Sequence, residues 1–366
     1  MSAGPADMEH GERRPPERPD MPTQFTAFDA PPDDHHGITN FLPSQPGLDL
    51  PRFGLPPRPD ADRQPLLRKV WDRVLDRRVK LLPFTPDLSL LGKVNYRIMR
   101  RKMAVLSPAQ AQAETSSNWS GAYITSNGGK RFMLVWGLWR TPDVLSIPPP
   151  PLQGQPGIDF VVANWIGLDG QRRYFDSSLP QIGTSSVLLP DGKVRVDPWL
   201  QWWARDDPDP KVTPISIPIE AGDLVACALL AYDPHTVWCL IANLNPARPH
   251  LRTISGIAPT IPLGGVPSIS GATAEWVVER PTVLGSDKPN NLPDYGETGF
   301  ELCVAAEGKH PDIGSLFDGT LQTQDLAGAR TIRMFDTLTG PARTVFTSMP
   351  RKVDDLTLRV RYGGFE

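Results

Sequence analysis

The chain has 366 residues, enough for two average domains or for one large β domain with appendages. Its formal net charge of −3 argues against a nucleic-acid partner or insertion into a membrane. No apolar run approaches the roughly 18 residues of a membrane helix, and residues 1–20 are charged and proline-rich, unlike a secretory signal.

The N-terminal third divides into two predicted segments. Residues 1–65 contain 14 prolines and many charged residues, so we expect a disordered leader. Residues 66–114 are predicted to be basic and partly helical, because five apolar residues recur at helical spacing between lysines and arginines. These apolar residues are Leu66, Leu67, Val70, Val74 and Leu75. The segment could pack on the body, lie on a membrane or RNA, or dock over the body as an inhibitory leader.

Residues 115–366 are predicted to be an all-β domain. Eleven short runs of β-branched and aromatic residues alternate with Gly, Pro, Asp and Asn turns, which indicates a two-sheet sandwich or jelly roll. The predicted strands are 121–125, 132–139, 160–166, 194–203, 224–231, 236–244, 272–279, 300–305, 331–335, 343–347 and 356–362.

Three cysteines are too few for a disulfide scaffold, and no Cys/His cluster predicts a metal site. Cys227 and Cys239 are equidistant from Asp233 in a predicted hairpin turn, so they would face each other. Two buried thiols and a disulfide remain equal alternatives.

The strand at 271–281 carries the first candidate for chemistry. At a period of two, Glu275 faces away from Trp276, so the carboxylate is held on a stiff strand whose other face is apolar. This arrangement suits a general base. A glutamate on the solvated face of a sheet is the simpler interpretation.

Ten tryptophans are present, and three of them share one strand. Trp199 and Trp203 should lie on one face and Trp202 on the other. One face is core, and the second either packs as core too or lines a groove for an extended polymer.

Five motifs together resemble the glutamic peptidases, or eqolisins. They are N-W-S-G-A at 118–122, W-I-G-L-D-G at 165–170, L-P-Q-I-G at 179–183, D-P-W-L-Q-W-W at 197–203 and T-A-E-W-V-V-E at 273–279. The resemblance covers roughly residues 116–362. It implies a β-sandwich of two bent antiparallel sheets, a concanavalin-like jelly roll, with a substrate groove on its concave side.

The resemblance also implies an acid endopeptidase without metal or organic cofactor. Glu275 would activate a water, and Gln181 would donate a hydrogen bond to the oxyanion, without a covalent intermediate. The family's groove residues correspond to Trp119, Gly121, Trp165, Asp169, Asp197 and Trp203. Glu279 is a further candidate for substrate binding, and Ser185 and Gln201 replace acids that the family commonly has.

Family members are made as precursors, which implies that residues 66–114 are a pro-segment of a secreted, pepstatin-insensitive monomer acting on proteins or peptides. A catalytically inactive sandwich that binds peptide or polysaccharide in a Trp-lined groove is the alternative. A glycosidase using Asp197 with Glu275 is a third.

Overall fold

The computed structural model describes residues 38–48, 50, 55–82, 85–102, 114–149, 152, 154–171, 178–204, 212–247, 253–257, 268–309, 319–336 and 345–364. Residues 1–37, which make up most of the predicted disordered leader, lie outside the described residues, as do residues 103–113. Within the described ranges, no helix is both long and apolar enough to cross a membrane.

The described chain is almost entirely β. Its helices are α1 (Pro65–Leu75) and α2 (Leu88–Leu91). Its strands are β1 (Ile38–Phe41), β2 (Val79–Leu82), β3 (Tyr96–Arg97), β4 (Thr115–Ser116), β5 (Trp119–Thr125), β6 (Arg131–Arg140), β7 (Phe160–Leu168), β8 (Leu179–Leu188), β9 (Val194–Trp203), β10 (Thr213–Pro214), β11 (Leu224–Asp233), β12 (Thr236–Asn243), β13 (Thr253–Ile257), β14 (Thr273–Glu279), β15 (Thr282–Val283), β16 (Glu297–Gly308), β17 (Gln322–Gln324), β18 (Arg330–Asp336), β19 (Val345–Lys352) and β20 (Leu358–Tyr362).

Most of these strands form two large sheets, while β3 and β15 make a separate two-stranded sheet and β17 pairs with β16 of the back sheet. The front sheet has the order β10–β9–β8–β7–β14–β5–β18, and all of its pairings are antiparallel. The back sheet runs β1–β2–β13–β12–β11–β6–β16–β20–β19–β18–β4. Strand β18 pairs first in the front sheet and then in the back sheet, so it joins the two. The predicted all-β sandwich is confirmed.

The main hydrophobic core takes residues from both sheets, and two tryptophans cross it. Trp276 of β14 donates its indole N–H to the carbonyl oxygen of Trp136 on β6, at 2.8 Å. Trp139 of β6 donates to the hydroxyl of Thr184 on β8, at 2.9 Å. Both indole N–H groups are therefore satisfied inside an apolar layer, which ties the front sheet to the back sheet.

Part of the N-terminal third belongs to this sandwich. Helix α1 begins with a proline, and its buried face consists of Leu67, Val70, Trp71, Val74 and Leu75, which join the main core. Strand β2 extends the back sheet by pairing in parallel with β13, and β1 pairs with β2.

The prediction of disorder up to residue 65 is wrong for its C-terminal part. Residues 38–41 form β1, and Leu50 and Leu55 are buried in the main core. The segment is rich in proline and charge, but its few leucines find apolar partners on the sandwich. Composition alone cannot reveal that surface.

The eleven predicted strands omit β8, which carries the sequence L-P-Q-I-G-T-S-S-V-L. Its proline, glycine and serines have low intrinsic preference for strands. Pairing with β9 along its full length, and with β7 from Gln181 to Leu188, decides its conformation instead.

Cys227 and Cys239 do not face each other. In the β11–β12 hairpin, Cys227 pairs with Ile241 and Cys239 pairs with Leu229, because the register shifts beside Asp233 and moves the centre of the turn. All three cysteines are free and buried. Of the two alternatives, buried thiols are confirmed.

The core position of α1 gives a first prediction. Trp71→Ala should lower the free energy of unfolding of the whole domain by about 3–5 kcal/mol, because it removes a buried indole. Arg73→Ala, on the exposed side of the same helix, should change it by less than about 0.5 kcal/mol. Urea unfolding monitored by fluorescence and circular dichroism measures both. A Trp71 variant with the stability of the Arg73 variant would contradict a core role for α1.

Candidate active site

Three strands of the front sheet carry polar residues in one row on one face, and a fourth strand adds a glycine to it. Glu275 on β14 and Gln181 on β8 both pair with Gly167 on β7, and Gln181 pairs on its other side with Gln201 of β9. Residues that pair directly point to the same face of a sheet. Glu275 and Gln181 therefore lie on one face, about 10 Å apart between Cα atoms, with a glycine between them.

The opposite face of β14 enters the main core through Ala274, Trp276 and Val278, as the period of two predicts. We call the face that bears Glu275 and Gln181 the site face. Glu275 is 0% exposed, so the interpretation of a solvated carboxylate is wrong.

Glu275 is held at one oxygen. Its Oε1 accepts hydrogen bonds from the amide of Gly170, at 3.0 Å, and from the hydroxyl of Thr273. Its Oε2 is buried and has no hydrogen-bond partner among the described residues. Burial raises the pKa of the Glu275 carboxyl well above its usual range, while the hydrogen bond from Thr273 lowers it.

Gln181 is fixed at its amide nitrogen. Nε2 donates to Oε1 of Gln201 at 3.1 Å, and the residue is 1% exposed. Its Oε1 is buried without a partner among the described residues. The centre of the row therefore contains two buried acceptor atoms, Oε2 of Glu275 and Oε1 of Gln181, that need a donor.

Asp169 positions the start of β14. It adopts a left-handed backbone conformation with φ of 68°. Its two carboxylate oxygens accept from the amides of Ser270, Gly271 and Ala272 and from the Ser270 hydroxyl. These bonds hold the chain three residues before Glu275, and the Asp169 charge also contributes to the raised pKa of Glu275.

Four tryptophans form an apolar cluster on the site face: Trp119, Trp165, Trp199 and Trp203. Trp202 packs against the main core instead, as predicted. The rings of Trp119 and Trp165 meet edge to face, with centroids 4.9 Å apart. Gly121 lies in this layer next to β14, where a Cβ would collide with the carbonyl oxygen of Trp276. The strand pair β5–β14 therefore needs a glycine there.

Glu279 lies on the site face four residues after Glu275 and accepts three hydrogen bonds. Trp165 donates its indole N–H to Oε2 at 3.0 Å, and the Met99 amide and Asn118 side chain donate to Oε1. Burial raises the pKa of Glu279 to about 8. The sequence suggested a substrate contact, and in this structure Glu279 holds the protein's own chain.

Asp197 is fully buried and paired. Arg195 donates to its two oxygens at 2.8 and 3.0 Å, and the Tyr96 hydroxyl donates to Oδ2 at 3.1 Å. Ser185 lies directly opposite and accepts from the Trp199 indole. With both oxygens bound, Asp197 is not available as the second acid of a glycosidase, so that alternative is not supported.

Residues 95–102, which we call the strap, lie against the part of the site face formed by the tryptophan cluster, Asp197 and Glu279. Strand β3 of the strap pairs with β15, and Tyr96 and Ile98 join the tryptophan cluster. Arg100 is buried, and its guanidinium lies 5.4 Å from the centroid of the Trp203 ring. Of the alternatives given above for the basic segment, the strap packs on the body, through backbone hydrogen bonds, buried side chains and ion pairs such as Arg101 with Glu114.

Sequence reasoning did not identify Thr273, Gly170, Tyr96 or Arg100 as parts of the site. Both Thr273 and Gly170 lie inside the motifs given above. Thr273 is two residues before Glu275, and Gly170 is three residues after Gly167. Their position within the motifs could therefore have marked them as site residues. The strap residues gave no signal beyond their basic surroundings.

Comparisons with known proteins give the class. The model of the Peptidase A4 family matches residues 117–334. This range spans more than half of the chain, and the chain belongs to that family. It is accordingly a hydrolase, a glutamic-type endopeptidase that acts on peptide substrates.

Two solved structures illustrate the likeness. A crystal structure of scytalido-glutamic peptidase with a peptide-based transition-state analogue is 16% identical, with a TM-score of 0.49, and the match covers 67% of this chain and 98% of that one. SCP-B, a member of the eqolisin family in complex with the tripeptide Ala-Ile-His, is also 16% identical, with a TM-score of 0.47 and the same coverage. A comparison with curated proteins finds no match.

Glu279 gives a prediction about stability and pH. Its pKa is about 8 in the folded chain against about 4.5 in the unfolded chain, so the folded state keeps a proton that the unfolded chain releases. The stabilising contribution is therefore full below about pH 4.5 and is lost as the pH rises towards about 8. Relative to Glu279→Gln, the wild type should lose unfolding free energy across this window.

Urea unfolding at several pH values measures the difference. Glu297→Gln is the control, because Glu297 is exposed at the start of β16. If wild type and Glu279→Gln show parallel pH profiles, Glu279 does not have the raised pKa.

Proposed function

We propose that this chain hydrolyses peptide bonds with Glu275 as general base and Gln181 as the hydrogen-bonding partner, without a covalent intermediate. One observation carries the proposal. Two buried acceptors, Oε2 of Glu275 and Oε1 of Gln181, lie on one face across Gly167 and have no partner among the described residues. A water molecule donates two hydrogen bonds and can satisfy both acceptors.

The first step is attack by that water. Glu275, as carboxylate, takes one proton while the oxygen attacks the scissile carbonyl carbon. Thr273 and Gly170 bind the other carboxylate oxygen, which leaves Oε2 as the atom that receives the proton.

The second step needs stabilisation of the oxyanion. Nε2 of Gln181 has two hydrogens, and the bond to Gln201 uses one of them. The other hydrogen is available for the developing oxyanion, and the neighbouring bond restricts rotation of the amide. Glu275 then gives its proton to the leaving nitrogen, which completes the hydrolysis with every atom accounted for.

The choice of an amide partner has an electrostatic reason. A second carboxylate at Gln181 would repel Glu275 and raise its pKa further. An amide cannot ionise, so it supplies both a donor and an acceptor without that penalty.

The strap bears on how the site would become active. It occupies the site face at Trp119, Asp197 and Glu279, so a substrate that uses these positions requires it to move. We therefore propose that residues 66–114 function as a pro-segment of a secreted, monomeric enzyme. Because α1 and β2 contribute to the core, the part that must leave the site face is the strap.

Substitution of the pair tests the mechanism. Glu275→Gln and Gln181→Ala should each lower kcat by at least about a hundredfold, because they remove the base and the oxyanion donor. The assay follows cleavage of a denatured protein from about pH 3 to about pH 8, which spans ordinary and burial-raised carboxyl pKa values. Pepstatin is present throughout, and activity should persist.

Glu301→Gln, on β16 of the back sheet, is the matched control and should retain activity. Full activity in the Glu275 variant would refute the mechanism. A folded wild-type protein that binds peptide but never cleaves it would favour the inactive binding module.

Thr273 gives a pH prediction for the same reaction. Its hydroxyl lowers the pKa of Glu275, so Thr273→Val should raise that pKa. The rise of kcat/KM with pH reports deprotonation of the base, and it should move to higher pH, because the carboxylate loses one hydrogen bond that favours its charged form.

Thr125→Val is the control, because Thr125 pairs with Thr273 from β5. Its profile should match the wild type. A downward shift in the Thr273 variant would contradict the assignment of Glu275 as the base.

A further inference from the structure

The strap is seated on the site face as an extended peptide. Three alternate side chains contact the site face: Tyr96 at Asp197, Ile98 in the tryptophan cluster and Arg100 at Trp203. Arg97 and Arg101 are also buried, but they pair with Asp287 and Glu114, away from these contacts, and Met99 is half-buried. Strand β3 within it pairs with β15. An extended peptide on a sheet surface is recognised in this way, because every second side chain points towards the surface and can enter a pocket.

The backbone of the strap is held without regard to side-chain identity. The Met99 amide donates to Glu279 at 2.9 Å, and the Met99 carbonyl accepts from the Trp119 indole at 3.0 Å. The Arg100 carbonyl accepts from the side chain of Asn118 at 3.1 Å. These carbonyls are bound at Trp119 and Asn118 rather than at Gln181, so the strap lies in a register that does not present them for hydrolysis.

The first pocket accepts a phenol. The hydroxyl of Tyr96 donates to Asp197, whose carboxylate is fixed by Arg195. Tyr96 is 2% exposed. A phenylalanine would fill the same space but would leave an oxygen of Asp197 without this donor.

The second and third pockets differ in chemistry. Ile98 is 0% exposed and packs in the cluster with Trp119 and Trp165. Arg100 lies over the ring of Trp203 and donates from Nη2 to the carbonyl oxygen of Gln171 at 2.9 Å. A planar guanidinium can stack and donate at once, which a lysine ammonium cannot do equally well.

We propose that the site face selects extended peptides with a phenol, an aliphatic side chain and a guanidinium at alternate positions, Tyr-x-Ile-x-Arg, and that the strap is the built-in occupant of these pockets. The inference rests on the proposed function only in taking the bound peptide as a substrate. Binding itself does not require the catalytic pair.

Peptide binding tests the selection. The receptor is the full chain carrying Glu275→Gln to prevent cleavage, with Tyr96→Ser and Arg100→Ala to weaken the strap. The probe is a labelled peptide with the sequence of residues 93–102. Replacing its arginine at position 100 by alanine should weaken binding at least about tenfold, and replacing it by lysine at least about threefold.

A peptide with alanine at position 93 is the control, because Lys93 is exposed and its loss changes the net charge equally. It should bind like the parent peptide. Equal weakening by the changes at 93 and 100 would show a charge effect alone and overturn the proposal. Failure of the parent peptide to bind would also overturn it.

Hydrogen exchange gives an independent test in the otherwise unchanged chain. Arg100→Ala should speed exchange of the Met99 amide at least about tenfold, because that amide is protected by the seated strap. Lys93→Ala should leave it unchanged. Equal exchange in both variants would contradict a binding role for Arg100.

The outcomes separate this inference from the proposed activity. Selective binding without cleavage of denatured protein by the wild type would leave the pockets in place and refute the peptidase mechanism. Cleavage that depends on Glu275, together with unselective peptide binding, would support the peptidase mechanism and overturn the proposed selection by the pockets.

Discussion

The register of β14 between β5 and β7 is the constraint on which the site depends. A shift by one residue would turn Trp276 out of the core and Glu275 into it. Three contacts fix the register. The Trp276 indole donates to the Trp136 carbonyl, and the Asp169 carboxylate accepts from three amides just before the strand. Gly121 allows β5 to approach the Trp276 carbonyl closely. The first acts across the sandwich, and the other two act within the front sheet.

The same register explains why a carboxylate can remain buried. Burial opposes ionisation of Glu275, and the structure offsets only part of this through Thr273 and Gly170. A fully satisfied carboxylate would be a weaker base for attack on a peptide. One bound oxygen, and one without a partner among the described residues, therefore suit a group that must both hold its position and accept a proton.

The sequence was sufficient for the sandwich, for the alternation of β14 and for naming Glu275 and Gln181 as a candidate pair. The first two follow from periodicity, and the third came from ordered motifs rather than from any local pattern. Strand β8 was missed because its proline, glycine and serines are poor strand formers, although its neighbours impose the conformation. The order of the described residues in 38–48 and 55–65 was missed because it depends on contacts with later elements, such as the pairing of β1 with β2 and the hydrogen bond from the Trp71 indole to the Pro56 carbonyl. Cys227 and Cys239 show how a small shift in a turn changes which residues meet.

The four tryptophans beneath the strap have one more consequence. Indole emission depends on the polarity around the ring, and all four rings are at most 7% exposed while the strap is seated. Departure of the strap would admit water to both Trp203 and Trp119. It would also take the Arg100 guanidinium away from Trp203 and the Met99 carbonyl acceptor away from Trp119. The protein thus contains an intrinsic optical reporter of its own opening, one that needs no label and no substrate.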